Sequence, residues 1–396
     1  MPQVKKSEKL SCVESCIKNS RERKATMEKV LIATTVSGFV PQFEMNNVRI
    51  LQNMGYEVHY ASNFNNVSYG TDNHRLEGTG IILHQIDFAR SPFQWKENKK
   101  AYEQLKQLLQ QYSFELIHCH TPVASALTRI VARTYRKQGM KVMYTAHGFH
   151  FYKGAPWQYW LLFYPIERWL ANVTDVLITM NEEDFLRAKK FCKRKKTIVE
   201  HIFGVGIDVA YWSGRTITAQ QRNDIRKQKR EELYIPEETT MLLSVGELIP
   251  RKNHEEVIRA LAKEKQNGKQ NFVYVICGQG VLKEELIQLT KQCNLSEQVL
   301  FLGYREDVRE LLYASDMFVF PSKQEGMPMA LMEAIAAGVP AKASDIRGNR
   351  ELLRLQEEKK ENDNALDCLD ISTIEQKMKK IYQRVLHDDN STNSSL

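Results

Sequence analysis

The chain has 396 residues, of which 42% are hydrophobic and 26% are charged. At roughly 100–200 residues per domain, this length predicts two or three domains, each large enough to bury a core of its own. The apolar runs are about seven residues long at most, whereas a membrane-spanning helix needs about 20. We therefore expect no transmembrane span. Since no apolar stretch follows the N-terminus, we also expect no secretory signal.

Charge and cysteine content argue against two further classes of protein. The formal net charge is +8, and residues 1–26 alone carry seven Lys and Arg against three Glu. The charge that remains is too small for the basic stripe of a dedicated nucleic-acid-binding protein. The seven cysteines are scattered over a long chain. This favours reduced thiols in the cytoplasm over a disulfide scaffold or a structural zinc site.

Residues 1–26 are polar and charged, and the character of the sequence changes abruptly at Met27. Residues 30–35 then form an apolar run that predicts a buried first strand. The few apolar side chains in residues 1–26 favour a flexible extension that the fold does not need over an ordered functional element. We therefore place the start of the fold at Met27.

From Met27 onward, short apolar runs alternate with amphipathic stretches, which predicts parallel sheets covered by helices on both faces. The predicted strands of the first half are 30–35, 57–61, 81–86, 116–119, 142–145 and 176–179. The pattern restarts after a charged stretch at 215–237, and the predicted strands there are 241–245, 272–277, 299–302 and 317–320. We predict two doubly wound α/β domains, 27–205 and 206–370, followed by a C-terminal helix and polar tail in 371–396.

Three loops that follow predicted strands of the second half carry residues suited to a nucleotide, since ligands of open α/β sheets bind at the carboxyl ends of the strands. Arg251 and Lys252 are adjacent cations before a helix start, which suits a polyphosphate as well as a solvated basic turn. Gly278 lies in an incomplete glycine fingerprint that also fits a plain tight turn. Gly303 and Tyr304 would hold a base or form an ordinary surface loop.

The loop at 321–328 carries the sharpest signal. Gly326 lets the backbone approach a ligand closely, and with Met327 it precedes a helix whose N-terminus favours an anion. Glu325 lies just before this helix, and Glu333 lies inside it among apolar side chains. A carboxylate in such surroundings needs hydrogen-bond donors. Ribose hydroxyls would provide them, and a buried ion pair with an arginine is the alternative.

Residues 325–348 resemble the E-x7-E signature of retaining GT-B glycosyltransferases, and the resemblance runs from about 27 to 352. Residues 118–122 (HCHTP), 144–156 (YTAHGFHFYKGAP) and 164–168 (YPIER) resemble a narrower set of capsule and exopolysaccharide glycosyltransferases. The resemblance implies the GT-B fold, in which two Rossmann-like domains face each other across a cleft. The acceptor would lie on the first domain and the nucleotide-sugar on the second.

The resemblance also implies roles for individual residues. Glu333 would hold the nucleotide ribose, and Glu325 would lie against hydroxyls of the donor sugar. Lys252 would contact the diphosphate. His147, at the end of a strand of the first domain, would face the reacting sugar.

The predicted diphosphate site departs from the family at one position, and we expect it to bind no metal. The wider family often has a cationic arginine where this chain has Glu247, so we assign that contact to Arg251. The chain has no Asp-x-Asp motif, and we therefore expect no metal cofactor. Lys252, Arg251 and helix dipoles would neutralise the diphosphate.

The predicted function is that of a retaining glycosyltransferase, which moves a sugar from a nucleoside-diphosphate sugar, with a UDP-sugar favoured, to a glycan or polyprenyl-linked acceptor in cell-surface polysaccharide synthesis. Two alternatives stay open. A UDP-sugar epimerase shares the two-domain architecture, and a nucleotide-sugar-binding partner protein would keep the fold without turnover. The second is motivated by residues 354–369, which lack a strand and a helix that the family usually has there.

Residues 156–170 hold six aromatic side chains. Core packing of a helix is one interpretation. The other is a surface that faces lipid, helped by the basic run 187–196, because amphipathic and basic surfaces dock on anionic membranes. The lipid-linked acceptors of the family favour peripheral contact with the inner face of the cell membrane.

Overall fold

The computed structural model describes residues 27–69, 72–362 and 364–387. Two parallel sheets, one of seven strands and one of five, organise this part of the chain. The extension predicted for residues 1–26 and the polar tail predicted at the C-terminus, 388–396, lie outside the described residues.

The first sheet has the strand order β3-β2-β1-β4-β5-β6-β7, and its neighbouring strands are parallel. Its strands are β1 (Lys29–Val36), β2 (Glu57–Asn63), β3 (Ile82–Gln85), β4 (Leu116–His120), β5 (Lys141–Ala146), β6 (Val176–Thr179) and β7 (Ile198–His201). β1 is apolar on both sides because both faces of the sheet are covered. Val30 and Ile32 pack in one core, whereas Leu31 and Ala33 pack in the other, as the alternation of side chains along a strand requires.

The covering helices in the first half of the described chain are α1 (Met45–Asn53), α2 (Trp95–Gln111), α3 (Pro122–Tyr135), α4 (Trp157–Leu170) and α5 (Glu182–Cys192). Leu105 and Ala132 pack in the core that receives Leu31, and Leu51 packs in the opposite core. The sheet is therefore a layer between helices, which leaves the carboxyl ends of its strands as the place for functional loops.

The second sheet has the order β10-β9-β8-β11-β12 and is also parallel. Its strands are β8 (Thr240–Val245), β9 (Phe272–Cys277), β10 (Val299–Gly303), β11 (Met317–Phe320) and β12 (Ala341–Ala343). The accompanying helices are α6 (Val209–Ser213), α7 (Ala219–Glu232), α8 (His254–Gln266), α9 (Lys283–Gln292), α10 (Val308–Ala314), α11 (Met329–Ala336), α12 (Arg347–Glu358) and α13 (Ile371–His387). The predicted α/β fold with two doubly wound sheets is confirmed.

Helix α13 belongs to the end of the chain but packs on the first sheet. The hydroxyl of Tyr382 lies 2.7 Å from Nδ1 of His118 in β4, and Arg384 donates to Glu200 in β7 at 2.6 Å. The helix also contacts α1. Because α13 follows the second sheet along the chain and packs on the first, it connects the two halves of the protein.

Two edge strands are absent from the strand pattern predicted above. β7 and β12 each lie at the outer edge of their sheet, where only part of a strand is covered and the apolar run is correspondingly short. In the described residues after Ala343, no further strand forms beyond the isolated pairing of Asp370 with Ile207. The suggestion that the second sheet is shorter than is usual for the family stays a prediction.

Helix α4 divides the apolar side chains of residues 156–170 between the core and the surface. Trp157, Leu161 and Trp169 are 67%, 68% and 47% exposed. Trp160, Phe163 and Tyr164 pack against the core of the first sheet, so the core-packing interpretation holds for one face of the helix while the other face points outward. No helix in the described ranges combines the length and the apolar content needed to cross a bilayer.

Candidate active site

The loops after β5 and β11 touch each other where the carboxyl ends of the two sheets meet. A Cβ atom at Gly326 would lie 1.7 Å from the carbonyl oxygen of His147, and one at Gly148 would lie 3.2 Å from the Cα atom of Gly326. No side chain fits at position 326, so glycine is what allows the two backbones to meet. The predicted close approach at Gly326 is therefore, in the structure, an approach to the loop of His147.

Arg347, at the start of α12, holds this contact together. Its guanidinium donates to Asp184 Oδ1 at 2.7 Å, to the carbonyl of Phe149 at 2.8 Å and to the carbonyl of Glu325 at 2.9 Å. Arg347 and Asp184 are both buried. A buried ion pair is retained where its hydrogen bonds are all made, and here they join the loops of both sheets. This role of Arg347 was not predicted from the sequence.

Glu325 forms ion pairs with two cations. Lys252 Nζ is 2.8 Å and Arg251 Nη1 is 3.0 Å from Glu325 Oε1, and the hydroxyl of Ser322 donates to the same oxygen at 2.6 Å. Asn253 adopts a left-handed conformation with φ of 58°, which ends the loop and starts α8. The structure thus brings together the three charged residues predicted for diphosphate and sugar, across a sequence separation of more than 70 residues.

Glycines keep the neighbouring strand ends close together. A Cβ atom at Gly278 would lie 1.9 Å from the carbonyl oxygen of Gly246, and the Gly278 N–H donates to the carbonyl of Gly303 at 2.7 Å. The side chain of Tyr304 is outside this contact and 71% exposed. The loops predicted to receive a nucleotide are adjacent, and Tyr304 is free to cover a base.

Glu333 lies in the middle of α11 with buried residues on both sides. Burial raises the pKa of its carboxyl group to about 7. Among the described residues, no hydrogen bond or ion pair reaches this carboxyl, so the alternative of a buried ion pair with an arginine is not what the structure shows. A half-buried acid without a donor is expensive unless a ligand supplies one.

Met327 reaches the core rather than the surface. Its side chain is buried, and a Cβ atom at Gly204 would lie 3.0 Å from its Cγ. The side chain therefore packs against the segment that joins the two sheets. Only the backbone of Met327 remains to serve the predicted nucleotide contact.

His147 is held by two buried residues, Glu44 and His120, and neither was predicted in this role. Glu44 Oε1 lies 3.4 Å from His120 Nδ1 and 3.4 Å from His147 Nε2, and the two ring nitrogens share a hydrogen bond of 3.1 Å. Asn47 donates to the other oxygen of Glu44 at 2.5 Å. Phe39 packs edge-on against the His147 ring at 4.8 Å, so the imidazole is fixed in position and orientation.

The carboxyl of Glu44 has a low pKa for a buried acid. Burial would raise the pKa of Glu44, but the neighbouring imidazoles, His120 foremost and then His147, lower it to about 2. Burial lowers the pKa of His120 well below its usual range and that of His118 to about 4. The Glu44, His120 and His147 ligand atoms lie within 4.8 Å of one another and could hold a metal ion. The expected absence of a metal stays a prediction.

Comparison with known proteins identifies the family. The model described as Glycosyl transferase 4-like matches residues 30–181, and the model described as Glycosyl transferases group 1 matches residues 225–386. The putative glycosyltransferase EpsD of Bacillus subtilis is 36% identical over 327 residues, which are 83% of this chain and 81% of that protein. The chain belongs to the group 1 glycosyltransferases. The predicted enzyme class is thereby confirmed.

Other proteins similar to this glycosyltransferase include an enzyme of Escherichia coli and a solved structure. The UDP-Gal:alpha-D-GlcNAc-diphosphoundecaprenol alpha-1,3-galactosyltransferase of Escherichia coli is 30% identical over 264 residues, or 65% of each chain. The crystal structure of HepE from Anabaena in complex with UDP-glucose matches with a TM-score of 0.65 at 17% identity, over 90% of this chain and 99% of HepE. The structural likeness confirms the GT-B fold. The roles of individual residues stay predictions.

Proposed function

We propose that this glycosyltransferase moves a sugar from a UDP-sugar to a glycan or polyprenyl-linked acceptor in the synthesis of a cell-surface polysaccharide, at the cytoplasmic face of the membrane. The contact between the loop of His147 and the loop of Glu325 and Gly326 carries the proposal. Groups suited to sugar, diphosphate and ribose converge there from both sheets. The names of two similar proteins support it, since one uses UDP-Gal with a diphosphoundecaprenol-linked acceptor and one binds UDP-glucose.

The diphosphate is assigned to Lys252 and Arg251. Both cations form ion pairs with Glu325. A diphosphate would offer them further anionic oxygens, with which they would form charge-assisted hydrogen bonds. As the cations turn to the diphosphate, the Glu325 carboxylate becomes available to hydroxyls of the donor sugar. Lys252 and Arg251 would then bind the diphosphate of the donor while Glu325 binds its sugar.

The ribose is assigned to Glu333. Its carboxyl has no donor among the described residues, and its raised pKa reflects that lack. The hydroxyls of a ribose would supply hydrogen bonds to the ionised form and lower the pKa again. The adjacent glycine-lined strand ends at Gly278 and Gly303 leave the exposed ring of Tyr304 beside the base.

The proposed transfer breaks the bond between C1 of the sugar and the diphosphate oxygen, and it forms a bond from C1 to the acceptor oxygen on the same face. The configuration at C1 is therefore retained. The proton of the acceptor hydroxyl passes to an oxygen of the leaving diphosphate, and UDP departs. His147, fixed by Glu44 and Phe39, faces the reacting sugar and stabilises the charge that develops there.

UDP is expected to bind more tightly than GDP or ADP, and its affinity should be the same in excess chelator, because cationic side chains and not a metal neutralise the diphosphate. Calorimetric titration of the three nucleotides, with and without chelator, measures this. Hydrolysis of a panel of UDP-sugars then identifies the donor. A requirement for magnesium or manganese in UDP binding contradicts the proposal. A chelator effect on turnover alone points instead to the Glu44, His120 and His147 group.

A further inference from the structure

One face of α4 is an exposed apolar stripe. At about 100° per residue, positions four apart along a helix are offset by about 40°. Here these are Trp157, Leu161, Pro165 and Trp169, all exposed, and they form an inclined row on one side of the helix. We call them the α4 stripe. A contiguous exposed patch of large apolar side chains marks an interaction surface, and a helix of 14 residues makes this one about 20 Å long.

The opposite face of α4 fixes the helix, so the stripe is not free to turn inward. Arg129 of α3 donates to both oxygens of Glu167 at 2.9 and 3.0 Å, and both residues are buried. Tyr164 packs on Phe151 in the core beneath the helix. If α4 rotated to bury the stripe, Glu167 would move away from Arg129, and the charge of the buried Arg129 would be left unpaired.

Basic side chains flank the stripe. Lys195 donates to the carbonyl of Arg168, which places the basic turn after α5 against the end of α4. The exposed cations in this region are Arg168, Lys189, Lys190, Lys193, Arg194 and Lys196. The only acid in α4 is the buried Glu167, α3 has none, and the acids of α5 lie in its first turn, at the end opposite the basic turn. The surface around the stripe is therefore apolar and positively charged.

We propose that the α4 stripe and its basic flank dock this glycosyltransferase on an anionic lipid bilayer. Tryptophan side chains are enriched at membrane interfaces, and cations beside an amphipathic helix strengthen its attraction to anionic lipid. A second copy of the chain fits less well, because a two-fold contact through this face would bring the same cations together without acids to pair them.

The α4 helix lies close in the structure to the loop of His147. α4 begins ten residues after His147, and His150 of the intervening loop contacts Phe163 of α4 with ring centroids 4.6 Å apart. The loop of His147 therefore packs on the face of α4 opposite the stripe, about 10 Å, one helix diameter, from a bilayer bound there. This inference rests on the proposed lipid-linked acceptor, since such an acceptor would reach the active site from the membrane surface.

The test is co-sedimentation of the full chain with phosphatidylcholine vesicles, with and without phosphatidylglycerol, at low and high salt. Binding is expected only with phosphatidylglycerol and should weaken with salt. Trp157→Ser with Leu161→Ser should lower the partition coefficient about tenfold or more, and Lys193→Glu with Lys196→Glu should act similarly. Tyr234→Ser and Lys291→Glu, exposed residues of the second half outside the predicted nucleotide loops, serve as matched controls and should change nothing.

Two further measurements make the outcome decisive. UDP affinity should be equal in all variants, so a loss of vesicle binding with intact UDP binding separates this inference from the proposed function. Brominated lipids should quench wild-type tryptophan fluorescence, which tests insertion without any substitution. Absence of binding to anionic vesicles, or equal binding by the double serine variant, overturns the proposal. So does a dimer in sedimentation velocity that the serine variant dissociates.

Discussion

Replacing His147 with alanine is expected to lower kcat by about 100- to 1,000-fold, the loss typical of removing one preorganised donor from a site where charge develops. UDP affinity should stay within about twofold, because an interaction made with the reacting sugar acts on the transition state rather than on nucleotide binding. Glu325→Gln is expected to behave in the same way. Steady-state kinetics with saturating donor and calorimetric titration with UDP measure the two quantities.

Two variants define the specificity of this effect. His147→Gln keeps a side-chain donor and should recover part of the lost kcat. His74→Ala removes a histidine whose side chain is 75% exposed and bonded to Glu77 on the surface, and it should change neither kcat nor UDP affinity. Should His147→Ala weaken UDP binding as strongly as it lowers kcat, the ring acts on nucleotide binding or on folding, and its assignment to the sugar is wrong.

The strands that the sequence predicted are those with strong local signals. β1 and β9 are runs of apolar residues because both of their faces are covered. β7 and β12 were missed, and β12 has only three residues, Ala-Lys-Ala, of which the lysine is exposed. For residues 156–170 the sequence left core packing and an exposed lipid-facing surface open, because composition indicates how apolar a helix is but not which of its faces is covered.

The same distinction holds within the candidate site. Glu325, Gly326 and Glu333 share one strand-loop-helix unit, so spacing along the chain was enough to single them out. Glu44 and Arg347 were missed because their partners are set by the order of strands in the sheets, and those of Arg347 are 163 and 198 residues away. One signal for Glu44 was available, since it is the only acid between Glu28 and Glu57.

Replacing Glu333 with glutamine is expected to weaken UDP binding about ten- to a hundredfold at pH 8, because a charge-assisted hydrogen bond is worth about 1.5–3 kcal/mol. The ribose is bound equally in ground and transition states, so KM should rise while kcat changes little. Wild-type UDP affinity should itself fall as the pH is lowered through about 7, where the Glu333 carboxyl takes up its proton. The variant should lack that part of the pH dependence.

The same substitution should stabilise the unliganded protein at high pH. The pKa of Glu333 is raised from 4.5 to about 7 by burial, so the folded protein binds this proton more tightly than the unfolded chain does. Its contribution to stability is therefore complete below about pH 4.5 and is lost as the pH rises through about 7. Glu333→Gln removes the cost of a buried charge, and its Tm should exceed that of the wild type by a few degrees at pH 8 but not at pH 5.

Glu351 provides the matched control for both effects. Burial also raises the pKa of Glu351 to about 7, but its carboxylate accepts the backbone N–H of Glu182 at 2.7 Å, at the contact of α5 with α12 and away from the predicted nucleotide loops. Glu351→Gln should therefore alter the pH dependence of Tm and leave UDP affinity unchanged.

Proton release distinguishes the ribose contact from a general loss of stability. At pH 7, where the Glu333 carboxyl is about half protonated, UDP binding should free up to about half a proton from Glu333 in the wild type and in Glu351→Gln, but not in Glu333→Gln. Calorimetry in two buffers of different ionisation enthalpy measures the difference. Titration of UDP itself cancels in that comparison, because it is common to all three proteins. If Glu333→Gln binds UDP as tightly as the wild type and releases the same number of protons, Glu333 does not hold the ribose. The unpartnered carboxyl would then have to be explained by another ligand group.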